Sequence, residues 1–226
     1  MDRFAALNKL LTDLPEFRVG ALLEGAEEKW LAHREVLFRA GEEAAAFVIV
    51  LEGALKLVKS SATGDDVVVF IATPGDPVGG LIMMQARSVY PVTVIAMGQS
   101  KVMKIPRSTF EKAWSSDAAI LQKISGAFVA RVGDLQDQKV FVKAPLPVKI
   151  ARLLLSLIER FDSLEPGVLP VPLTRQEIAD STGASVESVI RVMSDWSKRG
   201  ILKTSDQHIE VQRIDTLAEI LKGAKE

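Results

Sequence analysis

Cysteine is absent from the 226 residues, histidine occurs twice and tyrosine once. Without cysteine the chain has no disulfide, no thiolate metal site, no cysteine nucleophile and no cysteine-held iron–sulfur cluster. His33 and His208 are too few for a metal centre that draws several imidazoles, although carboxylate-only sites survive the count. Charge of one sign is missing as well: 28 Lys and Arg face 29 Asp and Glu, a net of -1, which does not advertise nucleic acid. No run of about 18 apolar residues occurs. The amino terminus, MDRFAALNKLLTDLPEF, places charges and a proline where a signal peptide needs an unbroken apolar stretch. A cytoplasmic protein with no membrane partner is therefore expected. With 48% apolar and 25% charged residues the composition is that of a soluble globular chain, long enough for one to two domains at about 100–200 residues each.

From Arg34 to about Lys104 short apolar runs are cut by turn residues, the texture of consecutive strands. The segment EVLFRAGEEAAAFVIVLEGALKLVKSSATGDDVVVFIATPGDPVGG holds turn signals at Ala40-Gly41-Glu42, Glu52-Gly53, Thr63-Gly64-Asp65 and Pro74-Gly75-Asp76. Turns about every ten residues predict a β-sandwich or roll. Val67 to Ile71 and Val92 to Ala96 are β-branched runs too short for helices.

After Pro106-Arg107-Ser108 the period becomes helical, first through Phe110 and Trp114, then in a long helix that Ser116 or Asp117 can cap. Leu121, Ile124, Phe128, Val132 and Leu135 fall at spacings of three, four or seven. A stripe this narrow reads as a coiled-coil seam joining two copies of the chain, with intramolecular packing as the alternative. Ala144-Pro145-Leu146-Pro147 interrupts the helix at a hinge or boundary. An amphipathic helix follows from Val148 to about Phe161.

Thr174-Arg175-Gln176-Glu177 is a capping box that opens a short helix. That helix stops at Gly183; Ser185 can cap a second, from Val186 to about Arg199, with Gly200 at its end. Ile178, Ala179, Val189, Met193, Trp196 and Ile201 supply the apolar faces. Leu202 to Thr204, Ser205-Asp206-Gln207 and His208 to Val211 read as strand, turn and strand, and Ile214 to Leu221 as a last helix capped by Asp215. Helix, glycine turn, helix and hairpin together predict DNA binding, with a plain helical hairpin as the alternative. Residues 145 to 226 hold eleven Lys or Arg against twelve Asp or Glu, so any attraction to DNA must come from placement.

LTRQEIADSTGASVESVIRVMSDWSKRGIL is similar to the winged helix-turn-helix of the cyclic-AMP receptor protein and fumarate-nitrate reduction regulator (Crp/Fnr) family. Upstream, Phe38, Gly41, Glu42, Phe47, Glu52, Gly53, Lys56, Pro74, Gly75, Asp76 and Gly79 resemble the glycine and turn pattern of that family's sensor domain. The resemblance spans nearly the whole chain. It implies an α+β protein with an N-terminal antiparallel β-roll (a cyclic-nucleotide-binding-like jelly roll) over 1–115, a long dimerisation helix over 116–144 and a C-terminal winged helix-turn-helix over 145–226. Its implied partners are double-stranded DNA, a second copy of the chain joined through Leu121, Ile124, Phe128, Val132 and Leu135, and RNA polymerase where transcription is activated.

The family reads bases with a glutamate and an arginine on its second helix, and the matching residues are Glu187 and Arg191. Four apart, they share one helix face; a guanidinium forks onto guanine O6 and N7, and a carboxylate accepts from cytosine N4. An i,i+4 surface ion pair is the plain alternative. Ser188 can reach a phosphate or base. Thr174, Arg175, Ser185, Lys198, Arg199 and Lys203 are the candidates for the DNA backbone. Val186 stands where some relatives have a further arginine.

For the effector, the resemblance marks Gly79, Gly80, Leu81, Arg87, Tyr90 and Pro91. Cyclic-nucleotide binders hold the ribose with a glutamate where this chain has Gly80, and the phosphate with an arginine and a small hydroxyl residue where it has Tyr90-Pro91. A phosphate buried there would lack a compensating charge unless Arg87 reached it. Asp134 and Leu135 do not reproduce the adenine contacts either. Cyclic AMP is therefore not expected, and the cofactor is unknown. A haem sensor would draw on His33, Met83, Met84, Met97 or Met103, for which core filling and surface exposure are the plain readings. An enzyme on the roll would need a clustered histidine–carboxylate set, so no catalysis is expected; an adaptor whose winged domain binds protein is the remaining alternative.

Overall fold

The structure, a computed structural model, describes residues 16–60, 66–86, 88–126, 128–129, 143–161 and 167–222. A short helix, α1 (Glu16–Leu22), precedes six strands: β1 (Glu27–Leu31), β2 (Val36–Phe38), β3 (Ala46–Ser60), β4 (Asp66–Ala72), β5 (Pro77–Val78) and β6 (Thr93–Pro106). They make one sheet in the order β1-β6-β3-β4, with β2 added to β6 and β5 to β3. The long antiparallel pair β3 and β6 is its spine, registered from Ala46 opposite Pro106 to Val58 opposite Thr93.

Two of the four turn signals, Ala40-Gly41-Glu42 and Pro74-Gly75-Asp76, fall between strands, and Thr63-Gly64-Asp65 lies outside the described residues. Glu52-Gly53 does not fall between strands: β3 runs straight through it, and the register against β6 slips on both sides. The signal marks a bulge inside one strand. Gly53 sits at φ +73°, and a β-carbon there would come within 2.5 Å of the Ser100 hydroxyl and 2.7 Å of the Gln99 carbonyl. Only glycine permits that approach. The buried Ser100 hydroxyl clamps the bulge by donating to the Ala54 carbonyl (3.0 Å) and accepting from the Ala54 amide (3.3 Å).

Val48 to Val50 of β3 have no exposed surface, so this strand is covered on both faces and shows no alternation. Around it gather Leu31, Leu55, Val102, Ile105 and the aromatic group Phe47, Phe110 and Trp114. The last two lie on a π-helical turn, Phe110–Trp114, that continues the helical turn Arg107–Thr109. A helix over 118–126 and 128–129, α2, adds Ile120 and Ile124 to the same core.

Two compact units divide the described residues: one holds most of the sheet with the helices through residue 129, and the other holds residues 143–161 and 167–222 together with residues 60 and 66–69. The second contains α3 (Leu146–Phe161), α4 (Arg175–Thr182), α5 (Val186–Lys198), the hairpin β7 (Leu202–Ser205) and β8 (His208–Val211), and α6 (Ile214–Lys222). Pro147 lies in the first turn of α3, where a missing amide proton costs nothing, so the proline pair starts this helix. Asp215 lies inside the first turn of α6 and does not precede it. The β7–β8 turn has Asp206 and Gln207 both at positive φ, as a two-residue hairpin of primed type requires. A segment unmarked by the sequence pattern joins this hairpin: the Leu169 amide donates to Ile209 (3.0 Å) and that of Leu173 to Gln207 (2.9 Å).

Candidate nucleic-acid interface and effector pocket

The second unit presents α5 on a firm base. In the capping box at the start of α4, Thr174 Oγ1 accepts from the Glu177 amide (3.1 Å), and the buried Glu177 carboxylate accepts from the Thr174 amide (2.9 Å) and hydroxyl (3.0 Å). Gly183 closes α4 in the left-handed conformation (φ 65°), turning the chain in the three residues before α5. Ser185 caps α5, its hydroxyl oxygen accepting from the Ser188 amide at 3.3 Å. Val189, Met193 and Trp196 bury one face of α5, packed in the unit with Ile178, Ala179 and Ile201. The opposite face is left to solvent.

On that free face stand Glu187, Ile190, Arg191, Ser194 and Lys198. Ser188 is half-buried. Among the described residues neither Glu187 nor Arg191 has an ion-pair partner, so the i,i+4 surface bridge is not formed. The bridge on this helix joins Arg199 to Asp195, one turn apart at 3.1 Å, with both side chains more than half exposed. Ser194 was missed by the sequence reading, although its i+3 spacing from Arg191 puts it on the same stripe.

The proposed backbone contacts divide. Lys198, Arg199 and Lys203 are exposed cations. Arg175 is half-buried, and its guanidinium donates to Thr204 Oγ1 at 3.1 Å, tying the start of α4 to the wing; burial lowers its pKa from the usual arginine value. The Thr174 hydroxyl is fully engaged in the capping box and that of Ser185 in the α5 cap, because both residues precede helices whose first amides need an acceptor.

The first unit holds a cavity of about 170 Å³. Gly79, Gly80, Leu81, Tyr90 and Pro91 line it, as do Leu57, Val92, Val94, Ile124 and Phe128, which the sequence reading did not assign to an effector. Arg87 lies outside the described residues. Tyr90 donates its hydroxyl to the Ala46 carbonyl (2.5 Å) and stacks on Phe38 at 4.0 Å between ring centres. Burial raises its pKa above the ordinary tyrosine value.

Ile124 was expected in an interface between two copies, and the structure corrects this. It is 2% exposed within the chain's own core, with its side chain beside Gly80. Leu121 is half-buried on the same core. Phe128 and Val129 are 48% and 68% exposed, and Val132 and Leu135 fall outside the described residues. The exposed side of α2 bears Ala118, Ala119, Gln122, Ser125, Gly126 and Val129. Met83, Met97 and Met103 are buried in packing, Met84 is exposed, and His33 Nδ1 accepts from the Gly98 amide at 2.9 Å. None of the five lines the cavity.

Residues 28–117 match the family model of the cyclic nucleotide-binding domain, and residues 148–220 that of the Crp-like helix-turn-helix domain. The nitrogen fixation regulation protein FixK of Bradyrhizobium diazoefficiens is 26% identical over 211 residues, 87% of each chain. The transcriptional activator protein FnrA of Stutzerimonas stutzeri is 23% identical over 193 residues, 84% of this chain and 78% of its own. Among solved structures, FixK2 of Bradyrhizobium japonicum superposes with a TM-score of 0.75 at 22% identity, covering 86% of this chain and 96% of its own.

Proposed function

Because the chain belongs to the Crp/Fnr family of DNA-binding transcription regulators, we propose that it acts as a homodimer on an inverted-repeat site, under the control of an effector held by the roll. The observation that carries this is the unpaired Glu187 and Arg191 on the free face of a helix whose other face is fully committed to packing. In the major groove Arg191 forks onto guanine O6 and N7, Glu187 accepts from cytosine N4, and Ser188 and Ser194 flank them. Lys198, Arg199 and Lys203 neutralise phosphates and set the register. The protein works in the cytoplasm and catalyses nothing.

Dimerisation uses the exposed side of α2, where Ala118, Ala119, Ser125 and Gly126 allow two helices to approach closely and Val129 supplies apolar contact. Ile124 and Phe128 reach the cavity from the same helix, so an occupant can bias the pose of α2 and with it the separation of two α5 helices. A palindromic site needs these about 34–36 Å apart, one turn of DNA, so a population shift between poses becomes a change in affinity.

Selection from a random duplex library by the full chain is expected to enrich an inverted repeat with guanine–cytosine steps in each half. Enrichment of no repeat at any ionic strength, or of single half-sites by a protein that sediments as a monomer, would overturn the proposal. Lys203→Ala is expected to weaken selected and scrambled duplexes alike and to lower the slope of log K against log salt by about one, read by anisotropy titration.

A further inference from the structure

We infer that the cavity in the roll binds a small uncharged ring compound, of the size of toluene or indole, in place of a cyclic nucleotide. This rests on the reading above that the roll holds an effector, and names its chemical class.

The walls decide the class. Leu57, Pro77, Val78, Leu81, Ile82, Pro91, Val92, Val94, Ile124 and Phe128 are hydrocarbon, and Gly79 and Gly80 add no side chain at all. Among the described residues the lining contains no Lys, Arg, His, Asp or Glu. Its one polar side chain, Tyr90, has its hydroxyl engaged with the Ala46 backbone, accepting from the amide (3.4 Å) as well as donating to the carbonyl. The phenol stays neutral, since burial moves its ionisation upward. Arg107, which reaches Gln85 and Ser88 ahead of Tyr90 in the chain, is also committed: it donates to the Ser88 hydroxyl, to the Gln85 carbonyl (2.7 Å) and to Glu111 (2.8 Å). Gly80 and Tyr90-Pro91 occupy the positions from which a ribose and a phosphate would be held. Among the described lining residues a cyclic phosphate would meet no compensating charge, and these residues do not fit it.

Volume gives the size. An apolar cavity of about 150 Å³ lined by aliphatic and aromatic side chains stays dry and takes benzene. At about 170 Å³ this one has room for a single ring with a small substituent or fused partner. Phe128, half exposed, offers an aromatic face to such a guest, and Ile124 would feel its presence directly.

Tyr90 is the chain's only tyrosine, so full-length protein labelled with 3-fluorotyrosine gives one fluorine resonance, from the cavity wall. Titration with toluene or indole is expected to shift it saturably, with dissociation constants of about 10 μM to 1 mM for ligands of so few atoms. Cyclic AMP and inorganic phosphate are expected neither to shift it nor to compete. Gly80→Leu should weaken indole at least tenfold; a β-carbon at Gly80 makes only ordinary contacts, 3.6 Å to Ile124 and 3.8 Å to Phe47, and the longer side chain fills the cavity. Val92→Phe fills it from another residue and serves if Gly80→Leu does not fold. No saturable shift with either ring, indole affinity unchanged in a folded filling variant, or tighter binding of cyclic AMP than of indole would overturn the inference. The fluorine readout needs no DNA. Ring binding by a protein that selects no inverted repeat would sink the regulatory reading and leave the cavity's chemistry standing; the reverse pattern would do the opposite.

Discussion

Trp114→Ala is expected to destabilise the sheet unit by about 3–5 kcal/mol, the range for removing a buried tryptophan from a close-packed core. Trp114 has no exposed surface, meets Phe47 edge to face at 4.9 Å and donates its indole N–H to the Leu22 carbonyl at 2.7 Å. Phe110 meets the same Phe47 ring at 5.8 Å, so three aromatic side chains of this unit lock one another. Alanine leaves a void and an unpaired carbonyl at once, and each is costly in an interior that relaxes only partly. Trp114→Phe keeps most of the volume and loses the hydrogen bond, so it should cost about 1–2 kcal/mol. Hydrogen exchange resolves the outcome by unit: β3 and β6 amides should lose protection while those of α5 keep theirs. A loss below about 1 kcal/mol, or equal loss in both units, would show that this aromatic group does not hold the sheet together.

Trp114 was legible only as an apolar residue on a short helix. The sequence pattern marks apolarity and period, and it marks them best where one face alone is buried. That is why α5 was bounded to within a residue: Val189, Met193 and Trp196 stand at spacings of three and four, and Ser185 and Gly200 punctuate the ends. The same logic failed at β1, Glu-Glu-Lys-Trp-Leu, which reads as polar chain; its Glu27 and Glu28 pair with Lys104 and Lys101 of β6, and Lys101 lies 5.2 Å from the Trp30 ring, contacts visible only once the strands are side by side. Glu52-Gly53 misled because a glycine needed for positive φ looks alike in a turn and in a bulge. Ile124 misled for a different reason. Its stripe was read correctly as apolar, but periodicity does not say whether a helix buries its stripe against a second chain or against its own sheet. Burial in the chain's own core answers that for Ile124 alone. Five of the six effector candidates line the cavity because glycines and turns fix backbone position, whereas Leu57 and Val94 arrive from strands whose facing depends on register.

Arg191→Ala is expected to lower affinity for the selected operator about 5- to 150-fold, or about 1–3 kcal/mol, with a much smaller loss on scrambled duplex. Arg191 is exposed and unpartnered, so its removal should leave stability within about 0.5 kcal/mol and the loss can be assigned to the interface. Arg191→Lys should recover little, since an ammonium keeps the charge but cannot fork onto O6 and N7. A phosphate contact would behave oppositely: lysine would restore it, and alanine would weaken every sequence alike, as expected for Lys203. Glu187 supplies the internal control. Glu187→Gln exchanges a pure acceptor for an amide that both donates and accepts, the pattern that suits adenine N6 and N7, so one base of the half-site should change from cytosine towards adenine. Because Glu187 and Arg191 are not paired in the free protein, neither substitution strands the other's charge, and the double variant should lose roughly the sum of the two when they read separate bases. Equal losses on operator and scrambled DNA for Arg191→Ala, with full rescue by lysine, would move the reading of sequence away from this face of α5.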